Sequence, residues 1–357
     1  MTDAAEELDR NDITVVIPAY RAETTIRRTV DSVLSQTGVS LRVVVVVDGR
    51  LDQTAEVLAH YPNDRVSWIE HPTNLGAAIS RNDGLAKVNS DYVMFLDADD
   101  FLEGPLLSGL LAAMRSTEAD IGFGPMQVVY EANLGDGPFL ARILSRMRNS
   151  VLGPKPVSAA TDASRGQRYV PDFTSPMDVL RKWHLQGIFV APCSVVWRTE
   201  FLREIGGWDP ELTRNDDGEL VMRAILKGAK FVVSDKGQGV YVKHSGESLS
   251  TRMDNLASMM RANEKLLAID PVRISKKAQH DVCAGHYFNI AWQGYFGGRD
   301  DVADVALERS RAMGFGTRGR MLHRVTSRLL GVRRTCRLIA RLRKSGWAAS
   351  AAKATIS

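Results

Sequence analysis

The residues most able to do chemistry are acidic and stand at the ends of apolar runs. Phe95-Leu96-Asp97-Ala98-Asp99-Asp100 crowds three carboxylates into four positions. Like charges this close repel, so a compensating positive charge is expected beside them. A hard divalent cation such as Mn2+ or Mg2+ prefers oxygen ligands and commonly bridges one or two carboxylates to substrate phosphates. The fragment alone also reads as a solvated acidic turn capping the next helix. A second group, Pro18-Ala19-Tyr20-Arg21-Ala22-Glu23, follows the β-branched run Ile13 to Ile17. No G-x-G-x-x-G stands there, which counts against a dinucleotide-binding dehydrogenase. A turn with Pro18 and Tyr20 can offer an aromatic edge to a nucleobase, or Tyr20 can simply pack the turn.

Two further groups follow apolar runs. In Asp48-Gly49-Arg50-Leu51-Asp52, Asp48 could accept a hydrogen bond from a base or ribose, while Asp52 suits the N-cap of the next helix. His71-Pro72-Thr73-Asn74-Leu75-Gly76 leads into a helix carrying Arg81, Asn82 and Gly84. Gly76 at the helix entrance would let a ligand approach the backbone, and helix N-termini favour anions. Arg81 reads either as a holder of a phosphate or carboxylate, or as a surface arginine.

The elements that must position these groups alternate in type. Ile13 to Ile17, Leu41 to Val47, Val66 to Ile69 and Tyr92 to Leu96 read as strands. Thr24 to Gln36, Gln53 to His60, Ala77 to Val88 and Pro105 to Met114 read as helices. Leu41 to Val47 is nearly pure valine, as expected of a strand buried on both faces. Such alternation predicts an α/β fold, a Rossmann-like, mostly parallel sheet with helices on both faces. Ligands of such sheets bind at the carboxyl ends of the strands, where all four groups fall. An apolar segment follows from Ile121 to Tyr130. Glu131 to Met177 is irregular, with short helices expected near Leu140 to Arg148. Order returns at Val179 to His184, Phe189 to Trp197, Phe201 to Ile205 and Gly218 to Leu226, and the chain beyond Asp254 reads as mainly helical.

Composition narrows the class. The chain has 357 residues, 44% hydrophobic and 25% charged, which fits a globular protein with one large domain or two. No stretch is long and apolar enough to span a bilayer, and the acidic start Met1 to Arg10 predicts no signal peptide. A cytoplasmic location is the resulting expectation. Cys193, Cys283 and Cys336 are scattered without metal-ligand spacing, so neither a disulfide framework nor a zinc site is expected. The net charge of +4 is uneven: thirteen Lys or Arg and no Asp or Glu lie from Arg309 onward, leaving −9 for the rest.

The sequence Val16-Ile17-Pro18-Ala19-Tyr20, Val46-Val47-Asp48-Gly49, Asn74-Leu75-Gly76 with Arg81-Asn82-Asp83-Gly84-Leu85, then Leu96-Asp97-Ala98-Asp99-Asp100, resembles family 2 glycosyltransferases of the GT-A fold. The likeness resumes at Gly206-Gly207-Trp208-Asp209 and at Asp216-Asp217-Gly218-Glu219-Leu220 with Arg223. Each motif alone is weak; the four in this order and spacing are specific. The resemblance implies that Pro18, Tyr20, Glu23 and Asp48 hold the nucleoside of a nucleotide diphosphate-sugar, with Asn74, Gly76, Arg81 and the Asp97-Ala98 step in the same pocket. It implies metal contacts from Asp99 and Asp97, and from His244 in Tyr241-Val242-Lys243-His244. An ordinary loop histidine is the other reading of His244. Asp217 matches the family's general base, with Asp216 as second choice, and inversion at the anomeric carbon follows. A solvated turn before the next helix is the other reading of that pair.

Departures also count. Val47 replaces the first of two acids usual after the second strand, and Arg50 the serine, which leaves the nucleobase open. The Q-x-x-R-W signature of processive synthases is missing, so single-sugar addition is favoured. Residues 12-125 are expected to bind the nucleotide-sugar, 126-250 to bind the acceptor and supply the base, and 251-357 to form a helical extension. In its basic tail, Met321 to Lys344 suits an amphipathic helix on the anionic inner face of a membrane, or a helical face on the core or a partner. Nucleic acid is not expected, because aromatic residues are nearly absent there. The implied acceptor is a glycan or lipid-linked hydroxyl. A nucleotidyltransferase would need a Gly-rich, basic loop after the first strand, and none is present. A non-catalytic nucleotide-sugar-binding or membrane-interaction protein is the alternative, against which the intact Asp97, Asp99 and Asp217 argue.

Overall fold

The computed structural model describes residues 12–61, 64–130, 166, 168–213, 215–244, 256–315, 331 and 334–335. Four parallel strands form its nucleus: β1 (Ile13–Ala19), β2 (Leu41–Asp48), β3 (Val66–His71) and β4 (Tyr92–Phe95), with β1 between β2 and β4. They are joined by α1 (Ile26–Leu34), α2 (Thr54–Leu58) and α3 (Ala77–Ala86). The valine run behaves as its composition demands. Val43, Val45 and Val47 enter one core and Val44 the other, so β2 is buried on both faces. Helix α3 lies close on this sheet: a Cβ at Gly84 would come within 2.3 Å of Val16 Cγ1. A glycine is what that approach requires.

The rest of the sheet departs from the expected alternation. A strand from later in the chain, β9 (Val195–Arg198), inserts antiparallel between β4 and β6 (Ile121–Phe123), and β10 (Phe231–Val233) closes the edge. The seven-stranded order is β10-β6-β9-β4-β1-β2-β3. The apolar segment Ile121 to Tyr130 is not one element. It breaks at Gly124-Pro125, and β7 (Met126–Tyr130) joins a second sheet ordered β5-β11-β7-β8, built with β5 (Phe101–Glu103), β8 (Arg168–Tyr169) and β11 (Gln238–Lys243). Strand β5, unforeseen in the sequence, fixes the key feature: Leu96 to Asp100 is the link between the two sheets. Helix α4 (Leu106–Thr117) follows it.

Further helices are α5 (Pro176–Leu180), which runs into a π-helical turn at Arg181–Leu185, then α6 (Thr199–Glu204) and α7 (Asp216–Leu226). The C-terminal region is helical: α8 (Leu256–Ala268), α9 (Lys276–Gly297) and α10 (Asp300–Ala312) pack around Leu256, Met260, Tyr287, Ile290 and Leu307. A buried polar knot fastens it to the sheet domain. His184 Nε2 meets Asn263 Oδ1 at 2.9 Å, and Asn263 Nδ2 donates to the Cys283 carbonyl at 2.9 Å. Burial lowers the His184 pKa to about 4, so the ring is neutral there. Among the described residues no helix is long and apolar enough to cross a membrane. Cys193 and Cys283 are buried free thiols. The helices expected near Leu140 to Arg148, the basic segment Met321 to Lys344 apart from Gly331, Arg334 and Thr335, and Cys336 lie outside the described residues.

Candidate functional site

The acidic link between the sheets is clamped from beneath. Thr29 on α1 donates its hydroxyl to the carbonyls of Ala98 and Asp100, at 2.9 and 2.8 Å, and Arg28 Nη2 donates to the Asp99 carbonyl at 2.6 Å. Ala98 packs into the core below, while Asp97 and Asp99 keep about a third of their side chains exposed. Asp100 is fully buried and accepts from the Val242 amide of β11 at 2.8 Å; its second oxygen has no partner. Desolvation and the charges of Asp97 and Asp99 push its carboxyl well above the usual range. Asp99 is raised too, by burial and by Asp97, and its Oδ2 meets His244 Nε2 at 2.6 Å.

Arg81 is not a surface residue. It is 6% exposed and bridges two carboxylates 119 positions apart in the chain. Its Nη2 donates to Asp97 at 2.7 Å and its Nη1 to Asp216 at 2.9 Å. Its guanidinium lies 4.2 Å from the ring centre of buried Trp208, which in turn meets Phe95 edge to face. Burial opposes the charge of Arg81, but Asp97 and Asp216 outweigh it and raise the pKa.

Asp216 and Asp217 open α7, where the macrodipole favours carboxylates. Asp217 accepts from the Gly218 amide at 2.7 Å. Desolvation, then the charge of Asp216, raise its carboxyl to about 7, against the pull of the Gly218 amide and Arg81. An acid of that strength exchanges protons readily near neutrality. Tyr241 on β11 completes the basin: burial and the charges of Asp100, Asp97, Asp217 and Asp99 raise its phenol.

The four strand ends form a second, quieter surface. Tyr20 is 45% exposed at the rim, with the Arg21 guanidinium over its ring. Glu23 and Asp52 clasp the first two loops: the Glu23 amide donates to Asp52 and the Gln53 amide donates to Glu23, each at 3.0 Å. Asp52 also accepts from the Thr54 amide at 3.2 Å, one residue ahead of the N-cap position. Pro18 is half-buried beneath and Asn74 is exposed. Asp48 is buried, and its carboxylate accepts from the Leu75 and Gly76 amides, both at 2.8 Å, and meets His71 Nδ1 at 2.9 Å. Three of about four acceptor positions on a carboxylate are thereby used, and Asp48 holds the loop before α3. Gly76 has φ 96°, a backbone that favours glycine, and open space where a Cβ would sit.

Residues 14–168 match the model of Glycosyl transferase family 2. A glycosyltransferase, GlyA of Streptococcus pneumoniae, is 34% identical over 134 residues, 37% of this chain and 19% of the relative. The chain thus spans about a fifth of the length of that protein. The succinoglycan biosynthesis protein ExoO of Rhizobium meliloti is 27% identical over 75% of this chain and 72% of its own. The crystal structure of S. aureus TarS 1-349 in complex with UDP-GlcNAc superimposes with a TM-score of 0.66, covering 94% of this chain and 92% of that one at 19% identity. The fold is therefore GT-A, a mostly parallel Rossmann-like sheet with a helical C-terminal region.

Within the matched segment and beyond it, several motif residues serve architecture. Asn82 clasps the Gly207-Trp208 turn, donating to the Trp208 carbonyl at 2.8 Å and accepting from its amide at 2.9 Å. Arg223, paired with buried Glu219 at 2.8 Å, donates to the Gly207 carbonyl at 2.6 Å. These contacts keep Trp208 under Arg81, and sequence spacing held no signal for them. Among the described residues no three His, Cys, Asp or Glu converge as a protein-only metal cage. Asp97 is turned to Arg81 and His244 to Asp99, so the trio of Asp97, Asp99 and His244 is not assembled as ligands. Two crowded carboxylates, one of them raised, still suit a hard cation that takes its other ligands from phosphates and water.

Proposed function

We propose that the chain is a metal-dependent, inverting glycosyltransferase that moves one sugar from a nucleoside diphosphate-sugar to an acceptor hydroxyl. Asp217 carries the reading: a carboxyl near neutral acidity, joined through Asp216 and Arg81 to Asp97 of the D-x-D segment. In this reading Asp217 accepts the hydroxyl proton as the oxygen attacks the anomeric carbon from the face opposite the diphosphate. Tyr20, Pro18 and the loops tied by Glu23, Asp48 and Asn74 to Gly76 receive the nucleoside. Asp99 and Asp97, with His244 beside them, would hold Mn2+ or Mg2+, which when bound offsets charge on the leaving diphosphate. Arg81 orients Asp97 and Asp216 and keeps Trp208 against Phe95. The glycosyltransferase relatives and the TarS neighbour bound to UDP-GlcNAc support a nucleotide-sugar donor. The succinoglycan relative supports a glycan acceptor in cell-surface polysaccharide or glycolipid synthesis. The reading sets the enzyme in the cytoplasm, with the basic segment after Arg309 as its contact to anionic lipid at the inner face of the membrane.

A donor screen for nucleoside diphosphate release tests it. Release by the wild type should stop with chelator and return with Mn2+ or Mg2+. Asp217→Asn should lose about 10²- to 10⁴-fold in kcat, the usual worth of a general base, while nucleoside diphosphate affinity holds. Donor binding without turnover by the wild type would leave the non-catalytic reading standing instead.

A further inference from the structure

Strand β11 carries chemistry that the donor side does not use. Its residues alternate in direction, so Tyr241 and Lys243 share a face. The Lys243 ammonium lies 5.9 Å from the Tyr241 ring centre, and the Phe189 ring meets Tyr241 nearly perpendicular at 6.1 Å. All three side chains are half-buried. Among the described residues no carboxylate pairs with Lys243, although five acids crowd the neighbouring basin: Asp97 and Asp216 face Arg81, Asp99 faces His244, Asp100 faces the Val242 amide and Asp217 the Gly218 amide. A desolvated ammonium without a counter-ion is costly, and a ligand anion would relieve it. An aromatic ring beside it offers the apolar face on which a sugar ring lies. Strand β11 is fixed against the acidic link on either side of Lys243: the Val242 amide donates to Asp100 at 2.8 Å and His244 Nε2 meets Asp99 at 2.6 Å, and the charge of Asp217 reaches Tyr241.

We propose that Phe189, Tyr241 and Lys243 form the acceptor subsite, and that the acceptor is an acidic saccharide or polyol whose phosphate or carboxylate pairs with Lys243 while its ring or carbon chain lies on Tyr241. The inference rests on the transferase reading, since Asp217 is what makes the neighbouring space an acceptor site.

The test is ligand-observed NMR titration of the full chain with glycerol 1-phosphate, methyl glucuronide and uncharged methyl glucoside, alongside calorimetry with UDP. At least one acidic probe should bind about tenfold tighter than methyl glucoside, the worth of one charge-assisted hydrogen bond. Which acid wins separates phosphate from carboxylate. Lys243→Met should erase the preference, Lys243→Arg should keep it, and UDP affinity should stay within about twofold in both. Equal binding of charged and neutral probes, or a preference that survives Lys243→Met, overturns the proposal. A fall in UDP affinity matching that of the probe overturns it too, because Lys243 then serves the donor diphosphate. Loss of all nucleotide binding with the acid preference intact would remove the transferase reading and leave the anion subsite supported.

Discussion

The loops after β1, β2 and β3 and the basin between β11 and α7 are both polar, but they treat their polar groups differently. In the loops nearly every group is satisfied within the fold. Asp48 is spent on two amides and His71, and Glu23 and Asp52 clasp one another's loops. In the basin the groups are displaced from their ordinary acidities by burial. Asp217 is raised to about 7, Tyr241 and Asp100 are raised, and desolvation lowers Lys243. A satisfied network makes a rigid frame. Desolvated, partly partnered groups cost stability alone and gain from a bound substrate and a proton in transit.

Arg81 is where the two regions meet, and removing it should produce the largest effect. Arg81→Ala leaves Asp97 and Asp216 facing each other without their shared cation. We expect a loss of about 3 kcal/mol in chemical unfolding, the lower end for removing one partner of a buried pair. The lower end applies because Asp97 and Asp216 keep 32% and 23% of their side chains exposed. Arg81→Lys should recover only part, since one ammonium cannot reproduce the two-armed bridge over Trp208. Equal stability of Arg81→Ala and the wild type would show that the two regions are not coupled through this residue.

A smaller effect sharpens the same contrast. Asp217 is raised in the fold relative to the unfolded chain, so its contribution favours the fold at low pH and is lost as pH rises through about 7. Asp217→Asn removes that cost. The variant should be more stable than the wild type by about 1–2 kcal/mol at pH 8, with the gain shrinking steadily toward pH 4. A pH-independent difference in melting temperature would mean that Asp217 is not held near neutrality. In the loop region, by contrast, Asp48→Asn should cost stability, because a carboxylate accepting two amides is replaced by a group with one acceptor oxygen.

The parts legible in the sequence are those with local causes. The valine run, the helical spacing of α1 and α3 and the glycine at the entrance of α3 each act within a few residues. The acidic link could be recognised because three carboxylates in sequence are unusual. What stayed hidden depends on contacts across the chain. Nothing near Val195 tells that β9 will run antiparallel between β4 and β6. The three residues Phe101–Glu103, only two of them apolar, are too short a signal for β5. Arg81 reads equally as a surface residue until Asp216, far along the chain, is folded against it. Thr29, one hydroxyl on an amphipathic helix, shows its role only when the carbonyls of Ala98 and Asp100 lie above it.

The central claim is that Asp217 is a general base kept near neutral acidity by its buried, carboxylate-rich surroundings. The most direct measurement is the pH dependence of kcat/KM for the donor that supports turnover, in the wild type and in Asp217→Asn, with metal held saturating. The account predicts an acidic limb in the wild type with an apparent pKa near 7, and a low, nearly flat profile in Asp217→Asn over the same range. An acidic limb that persists unchanged in Asp217→Asn would contradict it.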